Sequence, residues 1–178
     1  MLTWIDLETT GLDERTDQIL EIGLIVTDDD LNEVAVRSWP VRPSDRAVLI
    51  SMGEFVRDMH VKSGLLDEIA NGQAYPLRHA EAEAIEFLAS YRHDAAPMCG
   101  NSVGFDRRFL LQHARGLESM FSYRTIDVSS IKELARRWRP EAEYQPDGDK
   151  PHRALADIRH SIAELAHYRK AGFIGGGR

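Results

Sequence analysis

Apolar residues recur at every second position from Ile19 to Thr27, where Leu20, Ile22, Leu24 and Val26 line one face of a strand. Ahead of it, Leu2 to Leu7 reads as a short buried strand closed by a turn at Thr10-Gly11. Behind it, Asp28-Asp29-Asp30 is a turn, and Val34 to Val41 is a third strand that ends at prolines. The period then lengthens to that of a helix. Ala80, Ala84, Leu88 and Tyr91 stripe a helix over Leu77 to Tyr91, and Phe109 and Leu110 lie on another over Gly104 to His113. Pro97 to Gly100 and Arg124 to Val128 supply a fourth and a fifth strand. Ile131, Leu134, Ala135 and Trp138 mark a helix stopped by Pro140, and Leu155, Ile158, Ile162 and Leu165 mark a last one. Three strands on short links, followed by helices and strands in alternation, predict an α/β layer fold: a five-stranded mixed sheet flanked by helices.

With 178 residues the chain suits one domain, expected over residues 1–172, with 173–178 as a flexible glycine-rich tail. Its 22 Lys and Arg stand against 29 Asp and Glu, a net charge of −7, which argues against general binding of long nucleic acid. No stretch has the length of a membrane span, the start lacks a signal-peptide pattern, and a lone Cys99 suits a reducing compartment. A cytoplasmic location follows, with Cys99 buried and inert in its apolar strand.

The chemistry starts with Asp6 and Glu8, two apart on the first strand and therefore on one face, while Ile5 and Leu7 point into the core. Two such charges ~4 Å apart repel by about 4 kcal/mol at an effective dielectric near 20. A bridging cation, a shared proton or splaying into water each relieves that. Asp106 opens a helix and Asp157 lies early in the last one; alone, the first suits a helix dipole and the second an ion pair with Arg153 or Arg159. Together the four acids form the oxygen-only ligand set that Mg²⁺ or Mn²⁺ prefers. His152, on the loop or at the start of the last helix, has the chemistry of a proton acceptor. Asp147-Gly148-Asp149 reads as a turn beside it, and Arg107-Arg108 as a solvated helix face.

The order Asp6-x-Glu8, Asp106, His152-x₄-Asp157 resembles the DEDDh family of 3′→5′ exonucleases, whose fold is ribonuclease-H-like. The segments Trp4 to Leu12, Cys99 to Phe109 and Tyr123 to Ser129, with Lys132 to Trp138, resemble its oligoribonuclease branch, over Leu2 to about Arg169. The resemblance implies an exoribonuclease that cuts very short RNA, dinucleotides above all, to 5′-mononucleotides. Asp6, Glu8, Asp106 and Asp157 would hold two divalent cations, Mg²⁺ or Mn²⁺, that clamp the scissile phosphate, with His152 as general base.

It also implies a substrate frame. Leu12 would wedge between the two bases, with Phe55 and His60 stacking on a base; Phe55 stands where the family usually has Trp. Ser102, Arg124 and Ser129 would cap the 5′ phosphate, excluding longer RNA, and Tyr123 would reach the partner's site in a homodimer. The competing readings are a proofreading DNA exonuclease or a tRNA-trimming ribonuclease of the same family, and a nucleotide-binding module without turnover. The Tyr123 to Trp138 block disfavours the first two, and the intact set of catalytic positions disfavours the third.

Overall fold

The computed structural model describes residues 1–91, 96–146 and 152–174. Strand β1 (Leu2–Thr9) runs through the middle of the sheet, antiparallel to β2 (Ile19–Thr27), which in turn pairs antiparallel with β3 (Glu33–Arg42). On its other side β1 pairs in parallel with β5 (Ala96–Gly100), and β5 with β6 (Phe121–Asp127). A sixth strand, absent from the sequence expectation, is the two-residue β4 (Tyr75–Pro76) at the far edge, giving the order β4-β3-β2-β1-β5-β6. With only two residues it carries no alternation to read.

Alternation along β1 divides the two faces as the sequence implies. Ile5 and Leu7 join β2 residues Ile22, Leu24 and Val26 in one apolar layer, under α4 (Leu77–Tyr91) and α5 (Gly104–His113). Trp4 and Ile25 face the opposite layer, formed with α7 (Val128–Trp138) and α8 (Ala154–Lys170). Asp6 and Glu8 share the parity of Trp4, so the pleat aims both at the α8 side. All of β2 is buried, because helices cover both its faces. Phe173 and Ile174, expected in the tail, pack against the α8 layer; residues 175–178 lie outside the described residues, as does the turn at 147–149.

Three short helices, α1 (Ala47–Ser51), α2 (Glu54–Lys62) and α3 (Leu65–Ala70), form a lobe over Leu20. Short α6 (Arg115–Glu118) leads into β6, which starts three residues earlier than the apolar pattern suggested, while Val128 belongs to α7. The α7 stripe is only partly buried: Ala135 is sealed, but Leu134 and Trp138 are exposed, the latter by 68%. Arg107 also departs from expectation. Rather than facing solvent, it donates to the Ser122 carbonyl at 2.6 Å and pairs with Glu118, fastening α5 to β6.

Candidate active site

Asp6, Glu8 and Asp157 converge where β1 meets the first turn of α8, each offering an oxygen within 4.8 Å of the others. The register explains the approach. Asp6 lies beside Gly23 and Glu8 beside Glu21 on β2. At Gly23 a Cβ would stand 2.6 Å from the Ala154 Cβ, so the glycine lets the start of α8 settle directly on the sheet. The arginines that offered Asp157 an ordinary ion pair are committed elsewhere, Arg153 to Glu21 and Glu68 and Arg159 to Glu33.

Asp106 joins from the other side. Pairing of β1 with β5 involves Thr3 and Trp4 only, and the Leu7 N–H beyond it donates to Asp106 Oδ1 at 2.9 Å. A carboxylate thus occupies the place of a missing strand neighbour. Burial first, then the charges of Asp106, Glu8 and Asp157, push the Asp6 carboxyl well above the usual range. Burial, with Asp157 and Glu21 adding to it and Arg153 opposing, pushes Glu8 up to about 8. Burial lifts Asp106 to about 7 against the pull of the Leu7 amide. Crowded, desolvated and oxygen-only, the acids fit a hard divalent cation, which would offset the repulsion that burial intensifies.

His152 sits on the loop just ahead of the α8 N-cap, Arg153, with a left-handed φ of +48°. For a histidine that conformation costs roughly 1–3 kcal/mol and persists only where the surroundings enforce it.

An exonuclease family model matches residues 3–165. Oligoribonuclease from Leifsonia xyli subsp. xyli is 46% identical over 97% of this chain and 84% of its own. That of Streptomyces avermitilis is 48% identical over 97% and 87%, and that of Nitrosomonas eutropha 48% over 95% and 93%. The chain belongs to the oligoribonuclease family. Among solved structures, exonuclease I from Methylocaldum szegediense aligns with a TM-score of 0.69 at 21% identity, over 95% of this chain and 40% of that one. A zinc-bound E. coli exonuclease I–single-stranded DNA complex aligns at 0.72 and 15% identity, over 97% of this chain and 41% of that one. The oligoribonuclease-like chain spans about two fifths of these exonuclease chains and shares their fold.

This oligoribonuclease family member displays the three side chains expected to frame a substrate in water: Leu12 is 78% exposed, Phe55 80% and Tyr123 82%. Leu12 extends from a loop braced by Asp17, which accepts from the Thr10 hydroxyl at 2.9 Å and from the Asp13 amide at 3.0 Å. His60 differs from its expected stacking position. Five residues after Phe55, it falls on another face of α2 and is sealed, with Nε2 at 2.9 Å from the Thr9 carbonyl and Nδ1 at 3.9 Å from Glu8. Burial holds its imidazole below the ordinary value. As placed, its ring faces are covered and it abuts the acidic cluster.

Ser102 and Ser129 meet at one acceptor, Asp127 Oδ1, through the Ser102 amide at 2.9 Å and the Ser129 amide and hydroxyl at 3.0 and 2.6 Å. Arg124 lies exposed beside Tyr123, its Nε donating to the phenol oxygen at 3.2 Å. Asp127 and Glu21 carry no signal in the sequence beyond proximity to the motif residues, and Arg153, a candidate partner for Asp157 by spacing, pairs with Glu21 and Glu68 instead.

The raised carboxyls have a thermodynamic consequence. Glu8 titrates near 4.5 when unperturbed and about 8 in the fold, so the folded chain binds a proton that the unfolded chain has released. Stability of the metal-free protein is therefore expected to fall as pH rises through that window, with Asp106 adding the same sign up to about 7. Mn²⁺ at about 100 times its dissociation constant should restore about 2.7 kcal/mol, more fully at the alkaline end. Chelator-treated melts across the window provide the check; a flat profile contradicts the repulsion.

Proposed function

We propose that the protein is a 3′→5′ exoribonuclease that degrades very short RNA, dinucleotides above all, to 5′-mononucleotides. The convergence of Asp6, Glu8 and Asp157 at the start of α8 carries this reading. With Asp106 they would hold two divalent cations, Mg²⁺ or Mn²⁺. When bound, those ions supply Lewis acidity to the scissile phosphate and its leaving oxygen. The protein's own groups do the rest. His152 accepts the proton of the attacking water as general base. The exposed side chains of Leu12 and Phe55 offer apolar surface to the two bases, worth roughly 1–3 kcal/mol per stacked base.

Ser102, Arg124 and Ser129 would bind the 5′ phosphate and end the groove after two nucleotides. The anchoring of both serine backbones at Asp127 supports this by fixing where the two side chains start; the Ser129 hydroxyl, which donates to Asp127 at 2.6 Å, would turn from it to meet the phosphate. His60 would contact a base only after leaving its buried seat; in place, it buttresses Glu8. The exposed Tyr123, Leu134 and Trp138 favour a homodimer in which Tyr123 completes the partner's site, because aromatic residues exposed this fully suit an interface. The net charge of −7 and the buried, free Cys99 support a cytoplasmic enzyme acting on short rather than long RNA.

Two- and seven-residue RNAs, each with and without Mn²⁺, test the reading through mononucleotide release. The expected result is metal-dependent hydrolysis with kcat/KM at least about tenfold higher for the dinucleotide, about 1.4 kcal/mol of discrimination. Equal values defeat the cap, and no release from either RNA defeats the assignment.

A further inference from the structure

We propose that Arg153, gripped between Glu21 and Glu68, is a positioning residue that sets His152 and Asp157 against the strand acids. This role rests on the hydrolytic reading above and adds to it residues that never touch substrate.

An arginine beside a nuclease centre would ordinarily be assigned to a phosphate. Here its fork is already committed. Nε and Nη2 donate to the Glu21 carboxylate at 3.0 and 2.9 Å, and Nη1 and Nη2 to the Glu68 carboxylate at 2.8 and 3.0 Å. Four of the five guanidinium N–H groups are thereby engaged. Glu21 is 1% exposed and has a further donor, the Ala154 amide at 3.1 Å, so the same carboxylate secures the first turn of α8. Glu68 lies on α3, in the lobe that also carries Phe55 and His60.

The three groups therefore join β2, α8 and the lobe at one point. Glu21 stands opposite Glu8 in the β1–β2 register, which fixes the clamp to the strand that presents the acids. Arg153 immediately follows His152, whose left-handed backbone needs external restraint. Asp157 is one turn further on, and its amide donates to the Arg153 carbonyl at 3.0 Å. Holding Arg153 thus holds the proton acceptor on one side and the helix acid on the other. The Arg159–Glu33 pair, on the same helix but exposed, makes a similar paired contact without bordering the site, and so provides a control.

The test compares Glu21→Gln, Arg153→Lys and Glu33→Gln with the unaltered protein, on a dinucleotide at saturating Mn²⁺. His152→Asn, with and without Glu21→Gln, completes a double-mutant cycle. Glu21→Gln should lower kcat by about 10–100-fold, as loss of supporting contacts around a metal site does, with KM within about threefold. Arg153→Lys should fall between it and the unaltered protein, and Glu33→Gln should change nothing. In the His152→Asn background, Glu21→Gln should cost less than about threefold more, because residues acting through one another are not additive. Fully multiplicative losses overturn the role, as does a Glu21→Gln protein that melts lower yet turns over normally. If the unaltered protein cleaves no dinucleotide, the hydrolytic reading fails by itself. The clamp is then judged by the His152 ring resonances of the metal-free protein, identified by their loss in His152→Asn. These should shift in Glu21→Gln but not in Glu33→Gln; unshifted resonances overturn it.

Discussion

Asp6→Asn is expected to lose roughly a thousandfold or more in dinucleotide hydrolysis while making the metal-free protein melt at a higher temperature. The substitution keeps the side chain's shape and removes one charge from the point where Asp106, Glu8 and Asp157 all bear on it. At an effective dielectric near 20, each close pair of ionised carboxylates costs up to about 4 kcal/mol, a cost the metal-free fold must bear or avoid by taking up a proton, so deleting the central member relieves it either way. The same change removes a proposed cation ligand, and metal-assisted charge stabilisation is worth several kcal/mol in the transition state, hence the thousandfold. Rates of mononucleotide release with Mn²⁺ and melts with chelator measure the two effects. Activity within tenfold of the unaltered enzyme removes Asp6 from the site, and a lower melting temperature contradicts the crowding.

His152→Asn should lower kcat by about 10²–10⁴, the usual contribution of a positioned general base. Asparagine suits the experiment because it tolerates the left-handed conformation at φ +48° and leaves the backbone in place. KM and Mn²⁺ affinity should change little, since His152 is not among the oxygen donors. A raised KM with normal kcat would assign His152 to substrate binding.

Much of this site was legible in the sequence because its geometry follows from local periods. A spacing of two on a strand places Asp6 and Glu8 on one face, and the alternation of Ile5 and Leu7 tells which face that is. Asp157 is harder to read: a single acid on a helix suits an ion pair as well as a ligand set, and the family resemblance tips the balance. Other features depend on distant neighbours. No pattern around Asp106 shows that β5 ends early and leaves the Leu7 amide for it. The apolar stripe through Leu134 and Trp138 is genuine, but whether the same chain covers it is settled only by tertiary placement. His60 is instructive: its offset of five from Phe55 already separates them around α2, though not which of the two goes inside. The α1–α3 lobe lacks long periodic runs, and its helices close on Leu20 and Leu65 rather than on a pattern of their own.

The close seating of Ala154 on Gly23 has a consequence for biosynthesis. Two of the converging carboxylates emerge with the first strand and the third only with the final helix, so a ribosome must translate almost everything between before the acids can meet. Until then the nascent chain carries the aspartate and glutamate of β1 without their crowding. On the proposed reading, competence is acquired in a single late step, and truncation ahead of α8 is expected to yield an inert product rather than a weakened one.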